Sequence, residues 1–228
     1  MLCRESGICF DLVDPSVFAR AKPDLEGRAV AVTGGASFIG SHLVKALVEV
    51  GAKVRVIDDL STGDLRNLER VRNKIDFRHA DLAERNVARD SMTNQNIVYH
   101  LAAIHGGRGF LSTHPVECPD NLALDSLTMK AASEGGVGAF ICASSASVHP
   151  MDLSSERSLD GLPEDAASLL SPGQNPDGPY GWSKLIGEYQ LSVVAANRPM
   201  NGVVCRIFNT YGERRGSGHA VRSLIAKA

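Results

Sequence analysis

The feature that most constrains this chain is the run Thr33-Gly34-Gly35-Ala36-Ser37-Phe38-Ile39-Gly40, set between an apolar run at 29–33 and an amphipathic stretch at 38–50. In that stretch Ile39, Leu43, Ala46, Leu47 and Val50 recur at helical spacing, and Gly51, tolerant of positive φ, ends it. A strand that breaks into glycines and then opens a helix is suited to a diphosphate. Gly34 permits the tight turn, a small residue at Ser37 lets backbone approach the anion, and Gly40 lets the helix lie close to the strand. The first helical turn, with Phe38 and Ile39, adds N–H groups and positive potential.

A glycine turn alone is a weak signal. Here the next apolar run, 53–57, ends in Asp58 and Asp59. An acid at that strand end suits hydrogen bonding to the adenosine ribose and repels the extra phosphate of NADP, so the expected cofactor is NAD. Asp81, with Leu82 beside it, is placed to meet an adenine edge; taken alone, Asp81 also reads as a helix N-cap. His100-Leu101-Ala102-Ala103 puts small residues at the end of a central strand, where a dinucleotide must pass closely.

Further apolar runs lie at 75–77, 97–101, 139–143 and 203–207, with helices expected at 84–92, 121–133 and 180–196. Strands alternating with helices, each apolar on both faces, predict an α/β fold: a doubly wound parallel sheet, or Rossmann fold, covered on both sides. The expected division is an N-terminal extension at 1–27, a dinucleotide-binding domain at 28–200, and a last strand opening a substrate-binding portion at 201–228. The extension is read as adaptable, with a short amphipathic helix carried by Phe10, Leu12, Val13, Val17 and Phe18 as the alternative. Residues 151–178, rich in Pro, Ser, Asp and Gly, read as a long loop of the functional kind.

Composition removes several alternatives. A net charge of -2 offers no basic surplus for nucleic acid. The cysteines (Cys3, Cys9, Cys118, Cys142 and Cys205) show no C-x-x-C spacing, so neither a metal site nor a disulfide framework is expected. Cys142 and Cys205 sit in apolar runs and read as buried small hydrophobes. No segment has the roughly 18 apolar residues of a membrane span, and no signal peptide is visible. The expected compartment is the reducing cytoplasm.

The chemistry is expected in Pro179-Tyr180-Gly181-Trp182-Ser183-Lys184, which opens a helix. Tyr180 and Lys184 are four apart and share a helix face. A phenol is a poor base near neutrality, with an ordinary pKa of about 10, and a neighbouring ammonium and a cationic nicotinamide ring favour the phenolate. Ser144, Ser145 and Ser147 follow an apolar strand at the same sheet edge, where a hydroxyl can bridge Tyr180 and a reacting oxygen.

In this order the motifs resemble the extended short-chain dehydrogenases, specifically the NAD-dependent nucleotide-sugar epimerases and dehydratases. The resemblance runs from about Arg28 to the end of the chain. It is carried by residues 33–40, Asp58, Asp81, 100–103, Asn121, Ser144-Ser145-Ala146-Ser147-Val148, 180–184 and Arg206-Ile207-Phe208-Asn209-Thr210-Tyr211-Gly212. It implies Ser145, Tyr180 and Lys184 as catalytic residues, Asn209 at the substrate pyrophosphate, and a homodimer formed through helices 121–133 and 180–196. Dehydratases of the group carry an Asp-Glu pair where Ser145 and Ala146 stand, which favours an epimerase acting at carbon 4 through a transient keto-sugar.

Gly106-Gly107-Arg108-Gly109-Phe110 is similar to a loop of GDP-mannose 3,5-epimerases, which implies substrate contacts for Gly107, Arg108 and Ser147 and a GDP-mannose-like sugar. Those enzymes have a cysteine where Ser147 stands and a lysine near His219, and these departures favour carbon 4, with the 3,5-epimerase and dehydratase reactions as alternatives. His149 takes a place where the family often has tyrosine. Members of the family continue for roughly a further hundred residues, the span of a small domain. The C-terminal portion is therefore expected to be shortened or incomplete, which leaves a non-catalytic NAD-binding scaffold, or a simple alcohol dehydrogenase, as readings of another kind.

Overall fold

The computed structural model describes residues 15–155 and 161–214. Its strands are β1 (Ala29–Thr33), β2 (Lys53–Asp58), β3 (Ile75–His79), β4 (Ile97–His100), β5 (Ala139–Ser145) and β6 (Asn201–Ile207). They form one parallel sheet in the order β3-β2-β1-β4-β5-β6. The helices are α1 (Pro15–Leu25), α2 (Phe38–Glu49), α3 (Arg85–Met92), α4 (Arg108–Thr113), α5 (Asn121–Glu134), α6 (Met151–Ser155) and α7 (Gly178–Asn197). No described helix is long and apolar enough to cross a membrane.

Side-chain alternation along the strands divides the core into two layers. Val30, Val32, Val54 and Val56 meet Val44, Leu47, Leu68 and Val71 on one face. Ala31, Ile57, Val98, Phe140 and Cys142 meet Met92, Met129, Ala132 and Leu191 on the other. Full burial of a Val- or Leu-sized side chain contributes about 1.5–3 kcal/mol, so these layers dominate the fold's stability.

Several expectations need correction. Burial on both faces holds for the central strands only: β3 is partly exposed, and on the edge strand β6 Val203, Val204 and Cys205 are exposed. Cys205 is thus no core residue, because an edge strand lacks a neighbour on one side. The N-terminal extension contains a true helix, α1, whose Leu25 joins the core; Phe10, Leu12 and Val13 lie outside the described residues. The long loop is not featureless. It holds α6 and a helical turn at Glu164–Ala166, and it is tied at its far end where the Met151 N–H donates to the Asn175 carbonyl.

Candidate active site

The strand order reverses between β1 and β4, and the crevice beyond their carboxyl ends is where a parallel sheet of this kind takes a ligand. Gly34 has φ +65°, and a Cβ there would stand 2.8 Å from the Ala102 nitrogen. A Cβ on Gly40 would strike the Gly34 carbonyl oxygen, so glycine is what lets α2 begin so near the turn. Ser37 is more than a tolerated small residue: its hydroxyl donates to the Gly34 carbonyl at 2.6 Å and closes the turn.

Asp58 is 7% exposed and staples the same turn. Its Oδ2 accepts the Ala36 N–H at 2.8 Å and its Oδ1 the Leu60 N–H at 2.9 Å. Burial raises its carboxyl above the usual range, against the opposing pull of those two N–H groups. A carboxylate has about four acceptor positions, so ribose hydroxyls can still bond to it. Asp59 is engaged with the Ser61 N–H and hydroxyl. Asp81 accepts the Ala83 N–H at 2.8 Å, whereas the residue capping α3 is Glu84, so Asp81 caps a turn and not the helix. Leu82 is 3% exposed, in the core, which leaves only its backbone for a ligand. Leu101, Ala102 and Ala103 are half-buried along the crevice, and the N–H groups of the first two donate to the Thr33 hydroxyl.

β5 delivers the serines. Ser145 Oγ accepts the Ser147 N–H at 3.1 Å, and Ser144 Oγ, on the opposite strand face, donates to Glu188. The first turn of α7 is seated on the turn Ala146–Val148. The Asp177 N–H donates to the Ser147 carbonyl at 2.9 Å, and a Cβ on Gly181 would strike that same oxygen. This seating fixes the start of the helix that carries Tyr180 against the serine turn. Tyr180 is half-buried and lines a cleft of about 520 Å³ with Gly109, Leu111, Pro115 and Asp177. Lys184, one helical turn on, is 3% exposed, with its Nζ 3.9 Å from Asp125 Oδ2. Desolvation works to lower its pKa, but the Asp125 carboxylate, helped by Tyr180 and Cys142, outweighs it and holds the lysine above its usual range.

Other predicted residues are less engaged. Asn209 stands exposed just beyond β6, at the same sheet edge. Gly107 precedes α4 as its N-cap; the side chain of Arg108, and all of His219, lie outside what the structure describes. Ser147 contributes its backbone to the α7 seat. His149 is 2% exposed, with Nδ1 3.2 Å from the Ala146 carbonyl and its ring against Phe208. Among the described residues no three His, Cys, Asp or Glu side chains gather as a metal cluster.

Two acids that support the site were not foreseen. Glu188 accepts both from Ser144 and from the forked guanidinium of Arg206, at 3.0 and 2.7 Å. Asp125 is wholly buried on α5 between His100 and Lys184. A usable signal existed for the second: Asn121, Asp125, Thr128 and Ala132 share one helical face, and a carboxylate on a face that packs inward needs a partner.

Comparison with known proteins places the sequence and the fold. The chain is 28% identical over 207 residues to a putative UDP-arabinose 4-epimerase 2 of Arabidopsis thaliana, covering 87% of this chain and 46% of that protein. Its fold matches UDP-glucose 4-epimerase of Thermotoga maritima, solved with UDP-glucose, at TM-score 0.75 and 26% identity, over 87% of this chain and 62% of that one. The Thermus thermophilus UDP-glucose 4-epimerase, solved with NAD, matches at TM-score 0.72 and 28% identity, over 87% and 60%. The chain thus spans about half the length of the curated relatives it matches. With the profile of the NAD dependent epimerase/dehydratase family matching residues 30–228, this chain belongs to that family.

Proposed function

We propose that the chain carries the NAD site and the proton-transfer residues of a nucleotide-sugar 4-epimerase. The observation that supports this reading is the seating of α7 on the Ala146–Val148 turn, which joins the helix of Tyr180 and Lys184 to the turn that follows Ser145. The crevice fits the cofactor: the Gly34 and Gly40 positions leave room that side chains would fill, and Asp58, at the end of β2, is the proposed partner of the ribose hydroxyls. When bound, NAD supplies a hydride acceptor that returns the hydride within one turnover.

The protein's own groups do the rest. Tyr180 takes the proton from the sugar hydroxyl at carbon 4 and gives it back after the keto-sugar has turned over. Ser145 Oγ already accepts the Ser147 N–H, so its own hydrogen is available to orient the reacting oxygen. Lys184 keeps a positive charge one helical turn from Tyr180, which favours the phenolate. Gly107, Arg108, Ser147 and Asn209 are the proposed substrate contacts. The names of the relatives favour a uridine diphosphate sugar over the GDP-mannose expected from the loop at 106–110. A dehydratase reading has one observation in its favour: an acidic residue, Asp177, lines the cleft with Tyr180.

The test is incubation with UDP-, GDP- and dTDP-sugars and product analysis by NMR. Inversion at carbon 4 supports the reading, and loss of water identifies a dehydratase. Tyr180→Phe should lose roughly 10²- to 10⁴-fold in turnover while keeping NAD affinity, and full activity in that variant refutes the role. The proposed homodimer would use the α5–α7 face, where Tyr189 and Val193 are exposed beside Met129 and Lys130. Sedimentation of a Val193→Glu variant as a monomer, against a dimeric parent, tests it.

A further inference from the structure

A line of four buried side chains runs from the glycine turn to the catalytic helix: Thr33, His100, Asp125 and Lys184 are respectively 0%, 1%, 0% and 3% exposed. Its proton positions follow from counting donors and acceptors. The Thr33 hydroxyl accepts from the N–H groups of Leu101 and Ala102, at 3.1 and 3.0 Å. With both lone pairs occupied, it has only its own hydrogen to offer His100 Nδ1, 2.8 Å away. Nδ1 is therefore an acceptor, and the ring proton sits on Nε2, which donates to Asp125 Oδ1 at 2.9 Å. His100 is neutral in this arrangement, and among the described residues the full charge facing the Asp125 carboxylate is Lys184.

The other oxygen, Asp125 Oδ2, has no hydrogen-bond partner among the described residues and lies 3.9 Å from Lys184 Nζ. Gly187 explains how α7 comes so close, since a Cβ there would stand 2.6 Å from that oxygen. The groups facing Lys184 are Asp125 from α5, Cys142 from β5 and Tyr180 from its own helix. Burial pushes the Cys142 thiol up to about 12, so it stays neutral. Glu188, the other acid near Cys142, is taken up by Arg206 and Ser144. Asp125 is the carboxylate left to balance a lysine removed from water.

We propose that Asp125 is a positioning residue of the reaction, its carboxylate aimed by His100 and Thr33 so as to hold Lys184 as an ammonium beside Tyr180. A buried lysine without a counter-ion sheds its proton, with documented pKa values of about 5–6. Lys184 without Asp125 is then neutral near neutrality and has no charge to offer the tyrosine. The line also begins at the residue before Gly34, so the turn that receives the cofactor and the helix that moves the proton share one hydrogen-bonded frame. This inference rests on the proposed roles of Tyr180 and Lys184 and adds what keeps the second one charged.

The test follows the ionisation of Lys184 directly, by NMR of the full chain labelled at lysine Cε, with the resonance assigned through Lys184→Met. In Asp125→Asn the lysine should be uncharged near neutral pH, at least about a thousandfold loss of proton affinity relative to an ordinary lysine, and Asp125→Glu should restore it. A smaller loss, or an upward shift, overturns the proposal. If Asp125→Asn does not fold, Asp125→Asn combined with Lys184→Met decides. Recovery of the fold identifies the lone buried cation as the fault, and equal failure overturns the proposal. None of these readings needs a sugar nucleotide or turnover, so an error in the epimerase assignment leaves them interpretable.

Discussion

Asn121→Ala offers the most direct check on how the crevice is held open. Asn121 is wholly buried at the start of α5. Its Oδ1 accepts the Ile104 N–H at 2.7 Å, and its Nδ2 donates to the carbonyls of Ile104 and Cys118 at 3.0 and 2.9 Å. Truncation leaves one N–H and two carbonyls without their partner. An unsatisfied buried polar group costs about 1–3 kcal/mol. The Ile104 groups are only partly buried and regain some solvent, and each carbonyl keeps a second lone pair. The expected loss is therefore about 2–4 kcal/mol in unfolding free energy, or roughly 4–16 °C in Tm for a chain of this size. Urea unfolding and calorimetry measure it. Hydrogen exchange adds a local readout, because the amides of 101–107 should lose protection while those of β1 keep theirs. A loss below about 1 kcal/mol, or uniform loss of protection, would refute the claim that Asn121 fastens the loop beyond β4.

Gly34→Ala should weaken NAD binding at least about tenfold, since it adds a Cβ at positive φ against the Ala102 backbone; calorimetric titration with NAD checks it, and unchanged affinity refutes it. Asp58 has a raised folded-state pKa, so its contribution to stability is present below its unfolded pKa and lost as pH rises through the folded value. The stability difference between the parent and Asp58→Asn should accordingly move against the parent as pH rises through the carboxylate range, and a pH-independent difference would contradict this. Glu188→Ala removes the carboxylate from the partly buried Arg206 guanidinium, which keeps its bonds to two carbonyls, and should cost about 1.5–3 kcal/mol. The same variant should raise proteolytic nicking around 164–167, whose carbonyls Arg206 also holds.

What the residues alone determined is what short-range physics writes into a chain. The glycine turn, the helix behind it, the acid at the end of β2 and the i, i+4 spacing of Tyr180 and Lys184 all follow from local backbone freedom and hydrophobic period. The doubly wound parallel class also followed, because right-handed crossovers leave few alternatives, whereas the strand order came from the folded molecule. Only the folded molecule decided which polar groups lose water. Asp125 occupies an ordinary helical position, and it becomes a buried counter-ion because α7 closes on α5 at Gly187 and excludes solvent. Cys205, in an apolar run much like that of Cys142, stays exposed because its strand lies at the edge of the sheet. Burial depends on contacts between residues far apart in the chain, and no local pattern carries that information.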